Sequence, residues 1–388
     1  MYTLIAFKLG LQIGKLLLRI FKFDQDIFFF FSSYTIGGAD RVHSRIVSCL
    51  KSYKKIVFFT EKSPNHKFRK FFQAKNLDIY FFYRFRLIFK GLLLGCFSEI
   101  INSKKNVIVF GSNSRLFYDL IPYFRKEVIV VDLLHSFGVG FDSYSLSHIK
   151  RINKRIVIIS KTVSDLEKQY KENNIDKIYL EKVKVVENKV PVPNRQIHEI
   201  NRNDFTVLFV GRDSPEKRAH MVERIAEKCL ENNLPVNFLA VGLRLKSKLP
   251  NIKSLGNIDS DEEMDELYNK AAVLLNVSKS EGFPLTVMEC MARGVPPIVT
   301  DVGGLSMHIK NGINGVLISP NQEEADLARN FYLEIARLYK DLKYLERLRN
   351  NCCLYASQNF DNKNYCFEIN NFFNELKHDK NISLNGKF

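Results

Sequence analysis

Short apolar runs, rich in valine, isoleucine, leucine and phenylalanine, alternate with longer stretches of helical periodicity along nearly the whole chain. In the first half these runs are 27–31, 56–60, 78–82, 107–110, 128–131, 156–159 and 183–186. In the second half they are 206–210, 236–241, 252–255, 273–276, 297–300 and 315–318. Nearly continuous apolarity in each predicts strands buried on both faces, which is the signature of parallel sheets wrapped by helices. Two such βα series flank the stretch Pro191-Val192-Pro193-Asn194 and the polar residues up to Asp204. An α/β chain of two doubly wound domains joined by a linker is the expected architecture, and 388 residues supply a core for each. The implied division is a helix over 1–23, a first domain over 24–193, a second over 194–354, and a terminal helix and tail over 355–388. Helical pattern fills 321–348 and 355–376.

Composition narrows the partners. A hydrophobic fraction of 46% with 26% charged residues is that of a folded protein. The net charge of +16 is unevenly spread: residues 1–200 carry 34 Lys+Arg against 17 Asp+Glu, whereas 201–388 carry 24 against 25. No RNA- or DNA-binding motif accompanies the basic half, so nucleic acid is not an expected partner. Within residues 1–23, Lys8, Gln12, Lys15, Arg19 and Lys22 share one helical face and most other positions are apolar. Such a helix suits the plane of an anionic membrane surface, although it could instead pack on its own domain. Basic residues interrupt its apolar core and no small-residue cleavage site follows, so it does not read as a secretory signal. Seven cysteines without regular spacing, mostly in apolar stretches, predict buried free thiols and a cytoplasmic setting rather than disulfides or zinc.

The most informative segment runs from Ser278 to Ile318, SKSEGFPLTVMECMARGVPPIVTDVGGLSMHIKNGINGVLI. A predicted strand at 273–276 enters a loop over 279–284 and then a helix over 285–293, which Gly294 and Pro296 terminate. A loop at the carboxyl end of a parallel strand that opens into a helix is where α/β sheets hold anionic ligands. Glu281 before that helix and Glu289 within it could accept hydrogen bonds from sugar or ribose hydroxyls around a phosphate.

This segment resembles the donor-binding signature of glycosyltransferase family 4, the glycosyl transferases group 1 family, with its two glutamates separated by seven residues. The resemblance implies the GT-B fold, two Rossmann-like domains facing across a cleft, here extended by an N-terminal amphipathic helix. It implies a retaining transferase that takes its sugar from a UDP- or GDP-linked nucleotide sugar. Leu208–Lys217, LFVGRDSPEK, is similar to the family's diphosphate-gripping loop, which assigns Gly211 to the donor site and Arg212 and Lys217 to the leaving group. Ser32–Val42, SSYTIGGADRV, resembles the glycine-rich loop after the first strand, with Gly37 and Gly38 near the phosphates. His135, in DLLHSFG, matches a histidine facing the donor sugar. By the same resemblance Gly282, Phe283, Pro284 and Leu285 offer main-chain amides, Glu289 contacts the donor, and Ile258 lies where the nucleobase is held. The terminal helix over 355–376 is expected to return to the first domain.

Asp24-Gln25-Asp26 and Asp259-Ser260-Asp261 have the D-x-D form of metal-dependent transferases of another fold, but their positions read as capping or solvated charge. No metal and no further cofactor are expected. A GT-B sugar-nucleotide epimerase and a non-catalytic nucleotide-sugar-binding subunit are the competing readings. The basic first half suits a glycan or polyprenyl-diphosphate-linked acceptor in bacterial surface polysaccharide (capsule or O-antigen) biosynthesis, at the inner face of the cell membrane.

Overall fold

The structure is a computed structural model and describes all residues except 1, 36, 64–66, 80–85, 139, 195–198, 246 and 379–388. The chain forms two compact units, Met1–Glu187 with Asn364–Phe388, and Asn188–Lys363. The division falls at Glu187/Asn188 because Val190 pairs with Asp361, and the Lys189 ammonium donates to the Asn359 carbonyl at 2.7 Å. Those contacts hold 188–190 to the second unit.

The first unit is built on a seven-stranded sheet of order β3-β2-β1-β4-β5-β6-β7. Its strands are β1 (Ile27–Phe31), β2 (Lys55–Phe59), β3 (Lys75–Asp78), β4 (Ile108–Ser112), β5 (Ile129–Leu134), β6 (Lys154–Val157) and β7 (Val183–Val185). Every pairing is parallel. All five residues of β1 are fully buried, as its unbroken apolar sequence requires of a central strand. The strand expected at 78–82 begins earlier, at Lys75, and residues 80–82 lie outside the described residues.

The second unit carries a six-stranded parallel sheet of order β10-β9-β8-β11-β12-β13. Its strands are β8 (Thr206–Val210), β9 (Asn237–Val241), β10 (Ile252–Gly256), β11 (Val273–Asn276), β12 (Pro297–Thr300) and β13 (Val316–Ile318). Among the described residues the C-terminal region holds three helices where the periodicity gave two. Glu324–Lys340 ends at Asp341, whose carboxylate accepts from the Tyr344 amide at 2.9 Å and starts Leu342–Asn359. The expected helix over 355–376 is broken at Phe360–Asn364, and only its second part, Tyr365–His378, lies in the first unit.

One expectation is revised in the first unit. Cys49 and Cys366 are disulfide-bonded rather than free, with Cα atoms 4.9 Å apart. Helix Tyr365–His378 packs on helix Gly38–Cys49, and the 317-residue separation gives no spacing signal in sequence. Cys96, Cys229, Cys290, Cys352 and Cys353 are free. The N-terminal helix Tyr2–Ile20, expected either to lie on a membrane or to pack on its own domain, packs one part of its surface on the first unit and leaves another part exposed. Gly10 and Gly14 lie against Arg86–Asn102, and a β-carbon on Gly10 would stand 2.9 Å from the Leu92 carbonyl carbon. One on Gly95 would stand 2.8 Å from the Leu11 nitrogen, so small residues set a backbone-to-backbone approach. Phe7, Leu17 and Leu18 also pack on the core, while Leu4, Ile5, Leu9, Leu16 and Ile20 are each more than half exposed beside Lys8, Lys15 and Arg19.

Candidate active site

In the second sheet the strand order reverses between β8 and β11, so the loops after these two strands emerge side by side. One carries Gly211–Lys217 and the other Ser278–Pro284. Their main chains are joined where the Lys279 amide donates to the Glu216 carbonyl at 2.8 Å. Arg218 locks them. It takes a left-handed backbone, φ 48°, and its buried guanidinium donates to the carbonyls of Val277 and Ser278 and to the Thr300 hydroxyl. Burial also pushes its pKa down, a cost offset by those three acceptors.

On this frame the Lys217 ammonium pairs with the Glu281 carboxylate, which also accepts from the Asn276 amide at 3.3 Å. Asn276 in turn accepts from the Ser278 amide at 3.1 Å. The backbone of Glu281 is held from behind by Gly303, at φ +63°, where a β-carbon would stand 2.7 Å from the Glu281 carbonyl carbon. The Gly304 amide donates to Gly282 O at 2.8 Å. A partly buried lysine paired with a carboxylate can transfer its hydrogen bonds to an arriving phosphate oxygen at small cost in reorganisation.

Other sequence-predicted residues take different positions. Arg212 is 66% exposed, and its nearest carboxylate, Glu216, is 3.8 Å away, so it is not drawn into the Lys217–Glu281 pair. Glu289 accepts from the buried Tyr268 hydroxyl at 2.6 Å. The side chains of Ile258, Phe283 and Leu285 are buried, Phe283 against His308 and Phe360. These three positions therefore have only main chain to offer a ligand. Gly211 donates its amide to Val241 O at 3.0 Å, and Pro284 caps helix Leu285–Met291. Among the described residues no cluster of three or more His, Cys, Asp or Glu has a geometry that could hold a metal ion. Asp24 pairs with Lys54 at 2.7 Å, and Ser260 caps helix Asp261–Lys270.

In the first unit, the loop after β1 is folded on Asp40, whose carboxylate accepts from both the amide and the hydroxyl of Thr35. Gly37 caps helix Gly38–Cys49, and a β-carbon on Gly38 would meet nothing within 4 Å, so open space adjoins this main chain. His135, directly after β5, meets His43 Nε2 to Nε2 at 2.8 Å. Removal of its ring from water, followed by the adjacent His43, holds the His135 pKa well below the usual imidazole value. The strand that carries it is fixed by a fully buried ion pair between Asp132 and Arg155, at 2.6 Å. Tyr118 donates to Asp132 at 3.2 Å, while Tyr170 and Ser145 accept from Arg155 at 3.1 and 2.7 Å. Burial alone would lower the Arg155 pKa, but Asp132 outweighs it and holds the guanidinium above its usual value.

Sequence reasoning missed Arg218, Asn276, Thr300 and His43. Arg218 follows Lys217 directly, and nothing in its neighbours marks it as the clasp between two loops. His43 lies three residues after Asp40 on one helix face, which is a signal only once His135 is known to come near.

Two Rossmann-like units on parallel sheets, the second with a cation–carboxylate pair at its switch point, define the GT-B class of fold. Within the second unit, residues 193–352 match the model of the family described as glycosyl transferases group 1. Anabaena HepE, solved with UDP-glucose, superposes with a TM-score of 0.69 over 90% of this chain and 100% of its own, at 16% identity. The O-antigen biosynthesis glycosyltransferase WbnH of Escherichia coli is 24% identical over 311 residues, 77% of this chain and 88% of WbnH. The Escherichia coli UDP-Gal:alpha-D-GlcNAc-diphosphoundecaprenol alpha-1,3-galactosyltransferase is 26% identical over 251 residues, 58% of this chain and 63% of that enzyme. The chain spans less than two thirds of the length of several curated relatives it matches.

Proposed function

We propose that the protein is a retaining, metal-independent glycosyltransferase that moves a sugar from a UDP- or GDP-sugar to a lipid-linked glycan in bacterial surface polysaccharide synthesis. The observation that carries this reading is the Lys217–Glu281 pair, held between two switch-point loops in a segment that matches a glycosyltransferase family. In the proposed reaction Lys217, with Arg212 reaching in from solvent, takes the developing charge of the departing nucleoside diphosphate. Glu281, released from Lys217, accepts hydrogen bonds from the sugar, and Glu289 holds the donor beyond it. The acceptor hydroxyl attacks the face that the leaving group vacates, and the leaving phosphate takes its proton. No carboxylate base is assigned.

The acceptor's place is the anionic inner face of the cell membrane. The exposed Leu4, Ile5, Leu9, Leu16 and Ile20 beside Lys8, Lys15 and Arg19 support that address, since apolar area and positive charge together bind an anionic interface. No described helix is long and apolar enough to cross a membrane. The lipid-diphosphate acceptor named for one relative and the O-antigen role named for another support the same class of acceptor.

Incubation with a panel of UDP- and GDP-sugars tests the activity. Slow hydrolysis of one donor, lost in Lys217→Ala and in Glu281→Ala while their melting curves stay normal, is the expected result. Interconversion of sugars would establish an epimerase instead, and binding without turnover a non-catalytic subunit. Flotation with phosphatidylglycerol vesicles tests the address: wild type floats and Leu9→Glu/Leu16→Glu stays in solution. Equal recovery of both variants would refute it.

A further inference from the structure

The geometry of the His43–His135 pair restricts where its protons lie. The two Nε2 atoms stand 2.8 Å apart, so a single proton occupies the space between them. His43 is completely buried, and its ring is stacked on Phe31 with centroids 4.1 Å apart and planes 7° from parallel. Rotation of that ring is therefore blocked by packing. Its other nitrogen, Nδ1, has no hydrogen-bond partner among the described residues but lies 3.7 Å from the Asp40 carboxylate, which is itself buried and held by Thr35.

Two neutral arrangements satisfy the short contact. If His43 carried its proton on Nε2, its bare Nδ1 lone pair would face a carboxylate across a low-dielectric gap, which is repulsive. If His43 carries it on Nδ1, the N–H dipole points at Asp40, Nε2 accepts, and His135 donates from its own Nε2. Protonating both rings fully would set two N–H groups head to head. The second arrangement is the one the electrostatics select. It leaves His135 neutral, with an unprotonated Nδ1.

The geometry points to His43 as a positioning residue: with Asp40 behind it, it fixes the tautomer of His135 so that His135 Nδ1 is presented as a hydrogen-bond acceptor for a hydroxyl of the bound sugar. An acceptor at this atom recognises an O–H and repels a phosphate oxygen, so it serves the sugar and not the diphosphate. The inference rests on the reading that His135 faces the donor sugar. It goes beyond that reading by stating which nitrogen does so, in which protonation state, and what enforces it.

The test begins with ring ¹⁵N spectra of the histidine-labelled full-length protein. His135 is expected as a single Nε2–H tautomer, with Nδ1 at the shift of a bare imidazole nitrogen. In His43→Leu that preference is lost and the two tautomers average. His43→Gln, whose amide oxygen can accept from His135 Nε2–H, restores it. With the donor from the UDP- and GDP-sugar panel that is hydrolysed fastest, His43→Leu is expected to lose 10- to 100-fold in kcat. Its affinity for UDP alone, which lacks the sugar, stays within twofold, and His43→Gln recovers most of the rate. A wild-type spectrum with the proton on His135 Nδ1, or a His43→Leu enzyme as fast as wild type, overturns the proposal. If His135→Ala transfers normally while the spectra show the predicted tautomer, the donor-facing reading is what fails, and the proposal falls with it.

Discussion

Gly303 makes no polar contact with any ligand-binding side chain, yet its replacement by alanine should disable the candidate site. Its φ of +63° is a backbone conformation in which a β-carbon costs about 1–2 kcal/mol. The added carbon would also fall well inside contact with the Glu281 carbonyl oxygen, 2.7 Å from its carbon and 3.0 Å from the Gly282 oxygen. These are main-chain atoms, and the Gly282 oxygen is already engaged by the Gly304 amide. They cannot turn aside as a flexible side chain would. The backbone of Glu281 must yield by ~1 Å, and a shift of that size in a positioned group can cost on the order of 10²-fold in rate. Strain and overlap together should lower stability by about 2–4 kcal/mol. Gly38→Ala is the matched contrast. Its β-carbon meets nothing and its φ is ordinary, so the fold should be unharmed or stabilised by up to about 1 kcal/mol. Differential scanning calorimetry of both variants measures the stability part. Isothermal titration with UDP and the rate of donor hydrolysis measure the functional part. A Gly303→Ala protein that melts like wild type and hydrolyses donor at an unchanged rate would refute the reasoning from close approach to a displaced Glu281.

Three further outcomes follow from the first unit and the cysteines. Asp132→Ala strands the Arg155 guanidinium in a fully buried site, so urea unfolding should show a loss of about 3–5 kcal/mol; a loss under 1 kcal/mol would mean that water reaches the pair. Stability should fall as pH drops below about 6.5, because His135 and His148 have folded pKa values depressed by burial. The unfolded chain then binds protons that the folded chain does not, so the contribution is full above that pH and is lost as pH falls toward the folded values. Denaturation curves at pH 7.5, 6.5 and 5.5 check it, and a flat result contradicts the burial argument. Alkylation of unfolded protein should count five thiols in the form with Cys49 bonded to Cys366 and seven after reduction. By chain entropy, closing a 317-residue loop is worth at most about 6 kcal/mol, so the reduced form should melt lower; identical melting would show that helix Tyr365–His378 is held by packing alone. A reducing cytoplasm, where the proposed function sets the protein, favours the dithiol.

The central strands were legible because burial on both faces leaves an uninterrupted apolar record. Ile27–Phe31, Thr206–Val210, Val273–Asn276 and Pro297–Thr300 fall where that record places them. The order of the strands, and with it the adjacency of the two switch-point loops, is a property of parallel crossovers that local pattern only implies. Helix ends were harder to read. Phe360 at the start of the break over 360–364 and Tyr365 just after it are both buried, so periodicity runs through it. At the site, Lys217 and Glu281 could be read from a matched segment, whereas Arg218 and His43 act through partners far off in sequence, at Val277 and His135. Such pairs leave no local trace, and neither does the Cys49–Cys366 bond.

The glycine-lined seam between Tyr2–Ile20 and Arg86–Asn102 also bears on synthesis. Helix Tyr2–Ile20 leaves the ribosome ahead of Arg86–Asn102, and at roughly 5–20 residues per second several seconds pass before that docking partner has been made. During that interval Leu17, Leu18 and Phe7 have no core to enter, and Leu4, Leu9 and Leu16 have none even afterwards. A nascent chain carrying that undocked segment exposes apolar side chains beside basic ones, the combination that binds an anionic interface. On the proposed membrane address, delivery can thus begin before the first unit has folded, with the undocked helix held at the lipid surface until Arg86–Asn102 has been made.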